Sequence, residues 1–502
     1  MNYVKVFDHT NLVVLAVDKW IFERDVDRGF LGEAVAGRLI FPCFPIVNEH
    51  YLNAQEAILK KRLVIELLEN LVANFPELSY ELHIKPEYFL YETILRRARV
   101  FPPMVHNLQN YATSIAKENF TEQTMDGFSK SLKMLENEHK ICFQNGFVTI
   151  SKEFVEAARN VKVRFMYQFR TAQRTLFNSL LNVLPNTLTI LSQNRALLLR
   201  LQKNNVENSV FRMLKNPLNY VYVPTSHRLV SLASRMDIEA FSKQVFSAEK
   251  NVKVDIEQIG GVLNDVYLIR TRGKGGEQKA VVKRFVDWSG FKWFPLMLWS
   301  VGTRSFAVLG RSRLEKEVAI NQQLFSKGFN VPKILHVNHN DRLVFIEYIE
   351  GENLSQIVKR IASAKTGDVK SDLEVIYKAG EEIANVHASG ITLGDTKPEN
   401  LMLGKNGVIF LLDLEQASRK GDKTWDVAEF IYYAGHYIFP LSGPKSAELI
   451  TNAFIDGYLK AGGDPKVVEK AANPKYTKVF SIFVLPNIIL AISNVCRRKM
   501  KE

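Results

Sequence analysis

The spacing of apolar residues predicts helices along most of the first 235 residues. In the segment 56–74 apolar side chains recur every three or four positions, so they share one face of a helix. The segments 120–140, 152–176 and 188–202 show the same spacing. Prolines between these runs mark turns and helix ends. We therefore predict a mainly α-helical domain over residues 1–235, whose sequence indicates no particular role.

The pattern changes to that of β-strands just after residue 250. Val254 and Ile259 lie in a run where apolar and polar residues alternate, and a second β-branched run begins at Val266. Gly260 and Gly261 lie between these two predicted strands. Because glycine has no side chain, such a turn lets backbone N–H groups approach phosphate oxygens. An ordinary turn has the same sequence, so the two glycines alone are a weak indication of phosphate binding.

Lys283 lies in the next predicted strand, directly after two valines. Its ammonium group could bridge two phosphates as a compact positive charge, although an edge or surface position is the usual alternative for a strand lysine. The segment 311–327 is predicted to be a helix that carries Glu315 and Glu317. A carboxylate on this helix would pair with Lys283. We favour Glu317, because the apolar stripe of the helix runs beside it, and keep Glu315 as the alternative.

The strongest chemical pattern lies in the C-terminal third of the chain. Asp395, Lys397 and Asn400 stand close together in a polar segment, and the apolar strand 408–412 leads directly into Asp413. Phosphoryl transfer needs a carboxylate that orients the attacking hydroxyl, and it needs oxygen ligands for Mg²⁺. Asp395 is the candidate for the first task, and Asn400 and Asp413 are the candidates for the second.

These residues resemble the motifs of a known superfamily. The run 395–400, Asp-Thr-Lys-Pro-Glu-Asn, matches the D-x-K-P-x-N pattern of protein kinases, and Asp413-Leu414-Glu415 takes the place of D-F-G. Asp426 resembles the aspartate that anchors the kinase catalytic loop from the following helix. Residues 254–440 therefore resemble the atypical branch of the protein-kinase-like superfamily, which includes the KEOPS-associated kinase, RIO kinases and relatives of aminoglycoside phosphotransferases.

The resemblance implies an α+β fold, in which a two-lobed kinase-like domain follows the helical domain. Its N-lobe would span residues 236–352, and its C-lobe with the C-terminal helices would span 353–502. ATP would lie between the lobes, with Lys283 on its phosphates and a connector that presents backbone groups to adenine. A plain loop is the alternative for that connector. The implied nucleotide-binding residues are Gly260, Gly261, Lys283, Glu317, Glu347, Tyr348 and Ile349.

The resemblance also implies the chemistry, which is transfer of the γ-phosphate of ATP to a hydroxyl group of a protein or small molecule. Asp395 would receive the proton of the hydroxyl, and Lys397 would steady the charge of the transferred group. Asn400 and Asp413 would bind Mg²⁺.

The sequence departs from ordinary protein kinases at several positions. Leu393 and Gly394 replace the histidine and arginine of H-R-D, and Glu415 replaces the glycine of D-F-G. Asp413 and Asp426 are too close in sequence for a usual activation segment, and no A-P-E lies between them. The glycine turn also lacks G-x-G-x-x-G. These departures favour the atypical or small-molecule branch over recognition of an ordinary peptide.

Charge and aromatic content bear on partners. The formal net charge is +13. This charge is equally consistent with anionic partners, such as nucleotides, RNA or anionic lipid, and with a diffusely basic surface that has no partner. The segment Trp288–Leu309 is rich in aromatic residues and could pack on the helical domain, or dock a protein or membrane. A basic tail ends the chain and is the second candidate for membrane contact. Three scattered cysteines and the absence of a signal-like N-terminus favour a cytoplasmic location.

Three functions thus stay open. The first is an active kinase or ATPase, whose acceptor the sequence does not name. The second is a scaffold that binds ATP and Mg²⁺ without turnover. The third is an RNA-associated kinase, in which the helical domain grips RNA or a ribonucleoprotein. The oligomeric state is open in each case.

Overall fold

A computed structural model describes most of the chain. The described residues are 3–7, 12–30, 33, 35–41, 45–100, 118–159, 216–226, 228–238, 240–241, 253–260, 264–273, 276–286, 309–363, 369–438, 443–481 and 483–499. The chain divides into two compact units. The first comprises residues 1–223 with 231–233, and the second comprises residues 224–230 with 234–502. The boundaries predicted at 235 and 352 stay predictions.

The first unit contains five described α-helices. They are α1 (Lys19–Arg28), α2 (Glu49–Asn74), α3 (Glu87–Val100), α4 (Glu118–Asn137) and α5 (Lys152–Ala158). α2 packs on α4, because its apolar stripe turns Leu63, Leu67 and Leu71 away from solvent. The helical patterns predicted at 56–74 and 120–140 fall in α2 and α4. Most of the pattern at 152–176 and all of that at 188–202 lie outside the described residues.

Strands accompany these helices. They are β1 (Tyr3–Phe7), β2 (Leu12–Ala16), β3 (His83–Ile84), β4 (Ile141–Gln144), β5 (Phe147–Ile150), β6 (Val221–Pro224) and β7 (Leu229–Ser231). β1 and β2 form an antiparallel hairpin, and the other strands form a sheet in the order β4-β5-β3-β6-β7. The chain passes from the first unit to the second in the last two of these strands. The described part of residues 1–235 is therefore a mixture of helix and sheet, and its mainly helical character stays a prediction.

The second unit begins with a five-stranded antiparallel sheet. Its strands are β8 (Lys253–Gly260), β9 (Asp265–Gly273), β10 (Gly276–Arg284), β11 (Ile334–Asn338) and β12 (Leu343–Glu347). The order is β11-β12-β10-β9-β8, so β10 is the central strand. Lys283 on β10 stands opposite Val266 on β9 and Val344 on β12. The lysine therefore lies in the middle of the sheet and not at its edge.

The helix α6 (Gly310–Ser326) lies between β10 and β11 in the chain. Its first residue is a glycine for a steric reason. A Cβ atom at position 310 would lie 2.6 Å from the carbonyl oxygen of Phe285, just beyond the end of β10. The helix can thus start against the strand that carries Lys283.

The rest of the second unit is mostly helical. Its helices are α7 (Leu354–Ser363), α8 (Lys370–Ala388), α9 (Lys423–His436), α10 (Gly443–Lys460), α11 (Pro465–Ala471), α12 (Pro474–Phe480) and α13 (Pro486–Arg498). A small antiparallel sheet joins β13 (Gly351–Asn353), β14 (Leu401–Gly404) and β15 (Ile409–Leu411). Helices and antiparallel sheets make the fold α+β. None of the described helices has both the length and the apolar character that crossing a membrane requires.

Candidate active site

Lys283 is paired with two carboxylates. Its Nζ donates to Oε1 of Glu317 at 2.9 Å and to Oδ1 of Asp413 at 3.3 Å, and the residue is 8% exposed. Burial opposes its charge, but the carboxylates of Asp413 and Glu317 outweigh burial and raise the pKa of Lys283 above its usual value. Lys283 is therefore a fixed positive charge at any physiological pH.

The two candidate glutamates of α6 have different partners. Glu317 contacts Lys283, whereas Glu315 accepts from Nε of Arg311 at 3.3 Å and lies 3.5 Å from Nε2 of His339. Both glutamates are buried, so burial does not distinguish them. The two glutamates differ instead in the direction in which each side chain leaves the helix.

The loop that carries Asp395 is anchored from α9. The carboxylate of Asp426 accepts from the backbone N–H groups of Leu393 and Gly394, each at 2.7 Å, and lies 3.0 Å from Nε2 of His387. Asp426 is completely buried, and these donors compensate for the loss of its hydration. Gly394 has φ of 73°, a conformation that favours glycine and that the arginine of H-R-D would adopt only with strain.

Asp395, Lys397 and Asn400 contact one another within this loop. Nζ of Lys397 lies 3.1 Å from Oδ1 of Asp395, and Nδ2 of Asn400 donates to the backbone carbonyl of Asp395 at 3.0 Å. Burial opposes the charge of Lys397, but Asp395 and Glu429 outweigh burial and raise the pKa of Lys397 above its usual value. The ammonium group also lies 5.2 Å from the ring centre of Tyr433.

Asp413 follows β15 in a left-handed conformation, with φ of 58°. This backbone geometry is uncommon outside glycine and is typical of functional segments. The preceding residue, Leu412, donates its N–H to the carbonyl of Asn400 at 2.8 Å. That bond ties the loop of Asp395 to the segment of Asp413, so the two candidate metal ligands lie on neighbouring backbones.

The donor set suits Mg²⁺ bound to phosphates. Asn400 uses its amide nitrogen on Asp395, which leaves its amide oxygen as the metal-binding atom, and Asp413 supplies carboxylate oxygens. Within the described ranges, no group of three or more histidine, cysteine or acidic side chains could hold a metal ion alone. Mg²⁺ in such sites takes only one or two protein ligands and completes its shell with phosphates and waters. The residues present therefore fit the ion.

The remaining nucleotide-binding candidates are less informative. Gly260 ends β8, and Gly261 lies outside the described residues. Glu347 ends β12, where its N–H donates to the carbonyl of Lys333 at 2.9 Å, and Tyr348 lies under the ammonium group of Lys279. Ile349 lies in the connector that follows. The roles of these residues toward adenine stay predictions.

Sequence reasoning missed one buried group beside this site. Arg313 of α6 donates to Glu415, and Asn264 contacts both of them. Glu415 stands where D-F-G has glycine, so its presence was visible in the sequence, but its partners were not. Burial, with the nearby charge of Asp413, raises the pKa of Glu415, whereas the charges of Arg313 and Lys283 favour its ionised form.

Comparisons with known proteins agree with these motifs. The chain is 28% identical over 103 residues to "KEOPS complex subunit Bud32" of Pyrococcus abyssi, covering 20% of this chain and 44% of that protein. It is 26% identical over 141 residues to "Serine/threonine-protein kinase cds1" of Schizosaccharomyces pombe, covering 27% and 29%. It is 24% identical over 162 residues to "Probable bifunctional tRNA threonylcarbamoyladenosine biosynthesis protein" of Methanobrevibacter smithii, covering 32% and 27%.

The chain contains an atypical kinase-like segment. No protein-family model matches the chain. The matches span less than half the length of each of these three relatives. The kinase-like segment is thus shown by similarity in part of the chain.

Proposed function

We propose that this protein is an atypical ATP- and Mg²⁺-dependent phosphotransferase whose acceptor is a hydroxyl group of a protein or small molecule. One observation carries the proposal. The ammonium group of Lys283, on the central strand, lies within hydrogen-bond distance of the carboxylates of Glu317 on α6 and Asp413 after β15. The loop of Asp395 is bonded to the segment of Asp413. We further propose that the five-stranded sheet with α6 and the helical part that follows are the two lobes of a kinase-like domain.

Each residue would have a distinct task. Lys283 would bind phosphate oxygens, and Glu317 would keep its ammonium group in place when Asp413 turns to the metal. Asn400 and Asp413 would hold Mg²⁺, which supplies charge neutralisation on the phosphates of ATP. Asp395 would orient the acceptor hydroxyl and take its proton, while Lys397 stays close enough to balance negative charge.

The decisive experiment is transfer of radiolabelled phosphate, or hydrolysis of ATP, by the purified full chain. Asp395→Asn and Lys283→Met are each expected to lower turnover by about 100-fold or more, since both act on groups that carry charge in the transition state. Lys378→Met is the control. Lys378 lies at an exposed position of α8 and belongs to none of the candidate sites, so its loss should leave turnover within about twofold.

Two outcomes would separate this function from its alternatives. Wild-type turnover in both site variants would reject the assignment of the site. Tight ATP binding by the wild type, with turnover no higher than that of Asp395→Asn, would favour a scaffold that binds nucleotide.

An RNA-associated role is the second candidate, since one relative is named for tRNA modification and the chain carries a net charge of +13. An RNA association constant whose logarithm falls steeply with the logarithm of the salt concentration would support this role. No binding at low salt would remove it.

A further inference from the structure

A buried polar cluster links α6 to the segment that carries Asp413. The Arg313 cluster consists of Arg313, Glu415 and Asn264, which are 0%, 2% and 8% exposed. Nη1 of Arg313 donates to Oε1 and Oε2 of Glu415 at 3.1 and 3.3 Å. It also donates to Oδ1 of Asn264 at 2.8 Å, and Nδ2 of Asn264 donates to Oε2 of Glu415 at 2.5 Å. The three side chains therefore form a closed triangle of hydrogen bonds.

Each member of the cluster comes from a different element of the candidate site. Arg313 lies four residues before Glu317, so both side chains leave the same face of α6. Glu415 lies two residues after Asp413. Asn264 directly precedes β9, the strand that pairs with β8. Nη2 of Arg313 also donates to the carbonyl of Val286, beyond the end of the strand that carries Lys283.

α6 is thus connected to the Asp413 segment by two separate ionic links. One runs from Glu317 through Lys283 to Asp413, and the other runs from Arg313 to Glu415. The first link would be interrupted if Lys283 and Asp413 turned to phosphates and metal, whereas the second involves no candidate ligand of either. The second link would therefore persist between α6 and the Asp413 segment throughout a reaction cycle, together with the hydrogen bond from Nε of Arg419 to Oε1 of Gln323 on α6.

We propose that Arg313, Glu415 and Asn264 are positioning residues, which fix Asp413 and Glu317 in the arrangement that binds Mg²⁺ and ATP. The inference rests on the proposed function and deepens it. The sequence between Asp413 and Asp426 has no room for a segment that could order this site from outside. The cluster orders the site from within the chain. The arrangement that binds Mg²⁺ and ATP therefore needs no covalent modification of the protein.

The energetics of a buried ion pair favour positioning over stabilisation as the purpose. Desolvation of two charges offsets most of their attraction, and apolar replacements of similar volume often leave stability unchanged or improved. Removing one partner alone leaves a buried charge without compensation, which can unfold the protein. The informative variant is therefore the double change Arg313→Met with Glu415→Leu, which removes both charges and keeps the volume.

The test measures turnover of ATP against Mg²⁺ concentration for the wild type, the double variant, Glu415→Gln and Asn264→Ala. Lys327→Met is the control, because Lys327 lies at the C-terminal end of the same helix, is exposed, and donates to the backbone carbonyl of Ser389. Partners that orient metal ligands typically contribute 10–100-fold to metal affinity or activity. We expect the double variant to stay folded while its Mg²⁺ concentration for half-maximal turnover rises by about 10-fold or more. A wild-type Mg²⁺ dependence in the folded double variant would overturn the proposal, since a purely structural cluster would change only the melting temperature.

Amide hydrogen exchange separates failure of this inference from failure of the proposed function. In the double variant the segment 411–417 and the helix α6 should lose protection together, while α8 keeps its own. If the wild type shows no turnover but this exchange pattern is seen, the proposed function fails and the positioning role stands. If protection of 411–417 is unchanged, the cluster does not hold that segment and the inference fails.

Discussion

Glu382 is a partly buried carboxyl group on α8 with an acidic neighbour, Glu381. Burial, with the charge of Glu381, raises the pKa of Glu382 from 4.5 to about 7. The folded protein therefore binds a proton more tightly than the unfolded chain does. The stability that this group contributes is present below about pH 4.5, and it is lost as pH rises through about 7.

Glu382→Gln removes this pH-dependent loss. We expect the variant to be more stable than the wild type by about 1–3 kcal/mol at pH 8, with little difference at pH 4.5. Urea unfolding at the two pH values measures the difference. Glu374→Gln, at an exposed position of the same helix, is the control and should change stability equally at both. A gain of equal size at both pH values would mean that ionisation of Glu382 is not its cause.

At the level of single residues, the sequence predicted the types of side chain at the site better than their partners. The choice of Glu317 over Glu315 as the partner of Lys283 followed from the spacing of apolar residues in one helix. The pairing of Arg313 with Glu415 joins positions about a hundred residues apart, and Asn264 lies further still. No local pattern marks such a contact, because an arginine in a helix and a glutamate after a strand are common in either exposed or buried positions.

At the level of elements, two glycines set how closely α8 and α10 pack. A Cβ atom at Gly380 would overlap the carbonyl oxygen of Phe454, and one at Gly457 would overlap that of Tyr377. Backbone atoms cannot turn aside as a side chain can. A larger residue at either position must therefore move the helices apart.

Gly380→Ala and Gly457→Ala should each destabilise the protein by about 1–2 kcal/mol. Overpacking costs about 1–3 kcal/mol, and the better helix propensity of alanine offsets up to about 1 kcal/mol of it. Chemical denaturation measures the change. Gly37→Ala is the comparison, since among the described residues its Cβ would meet Cβ of Glu33 at 3.8 Å, an ordinary contact. Stabilisation by Gly380→Ala, as propensity alone would give, would show that the helices can separate freely.

Predictability of the elements depended on their length. The long apolar stripe of α2 and the strand pair around residue 260 gave clear periodic patterns, and both are present. The sheet of the first unit escaped prediction because its strands are short. β3 has two residues and β7 has three, which is too few to show alternation. The strands are recognisable only once tertiary pairing brings them together.

At the scale of the whole molecule, the net charge of +13 would act on the ATP that we propose as substrate before it reaches the site. A positive protein attracts ATP through solvent, and salt weakens this attraction because the screening length falls from about 10 Å at 0.1 M to about 3 Å at 1 M. The pairs of Lys283 with Glu317 and Arg313 with Glu415 are buried, so salt screens them much less.

These two effects predict that salt acts on KM and not on kcat. Raising potassium chloride from about 0.05 to about 0.5 M should increase the KM for ATP by about threefold or more, because only the long-range attraction is screened. Turnover at saturating ATP should change by less than about twofold, since the buried pairs that order the site persist. Potassium glutamate at the same ionic strength controls for chloride that competes with phosphate, and it should give the same increase. A fall in kcat with constant KM would mean instead that salt reaches the buried pairs, and that the site is less closed than its hydrogen bonds indicate.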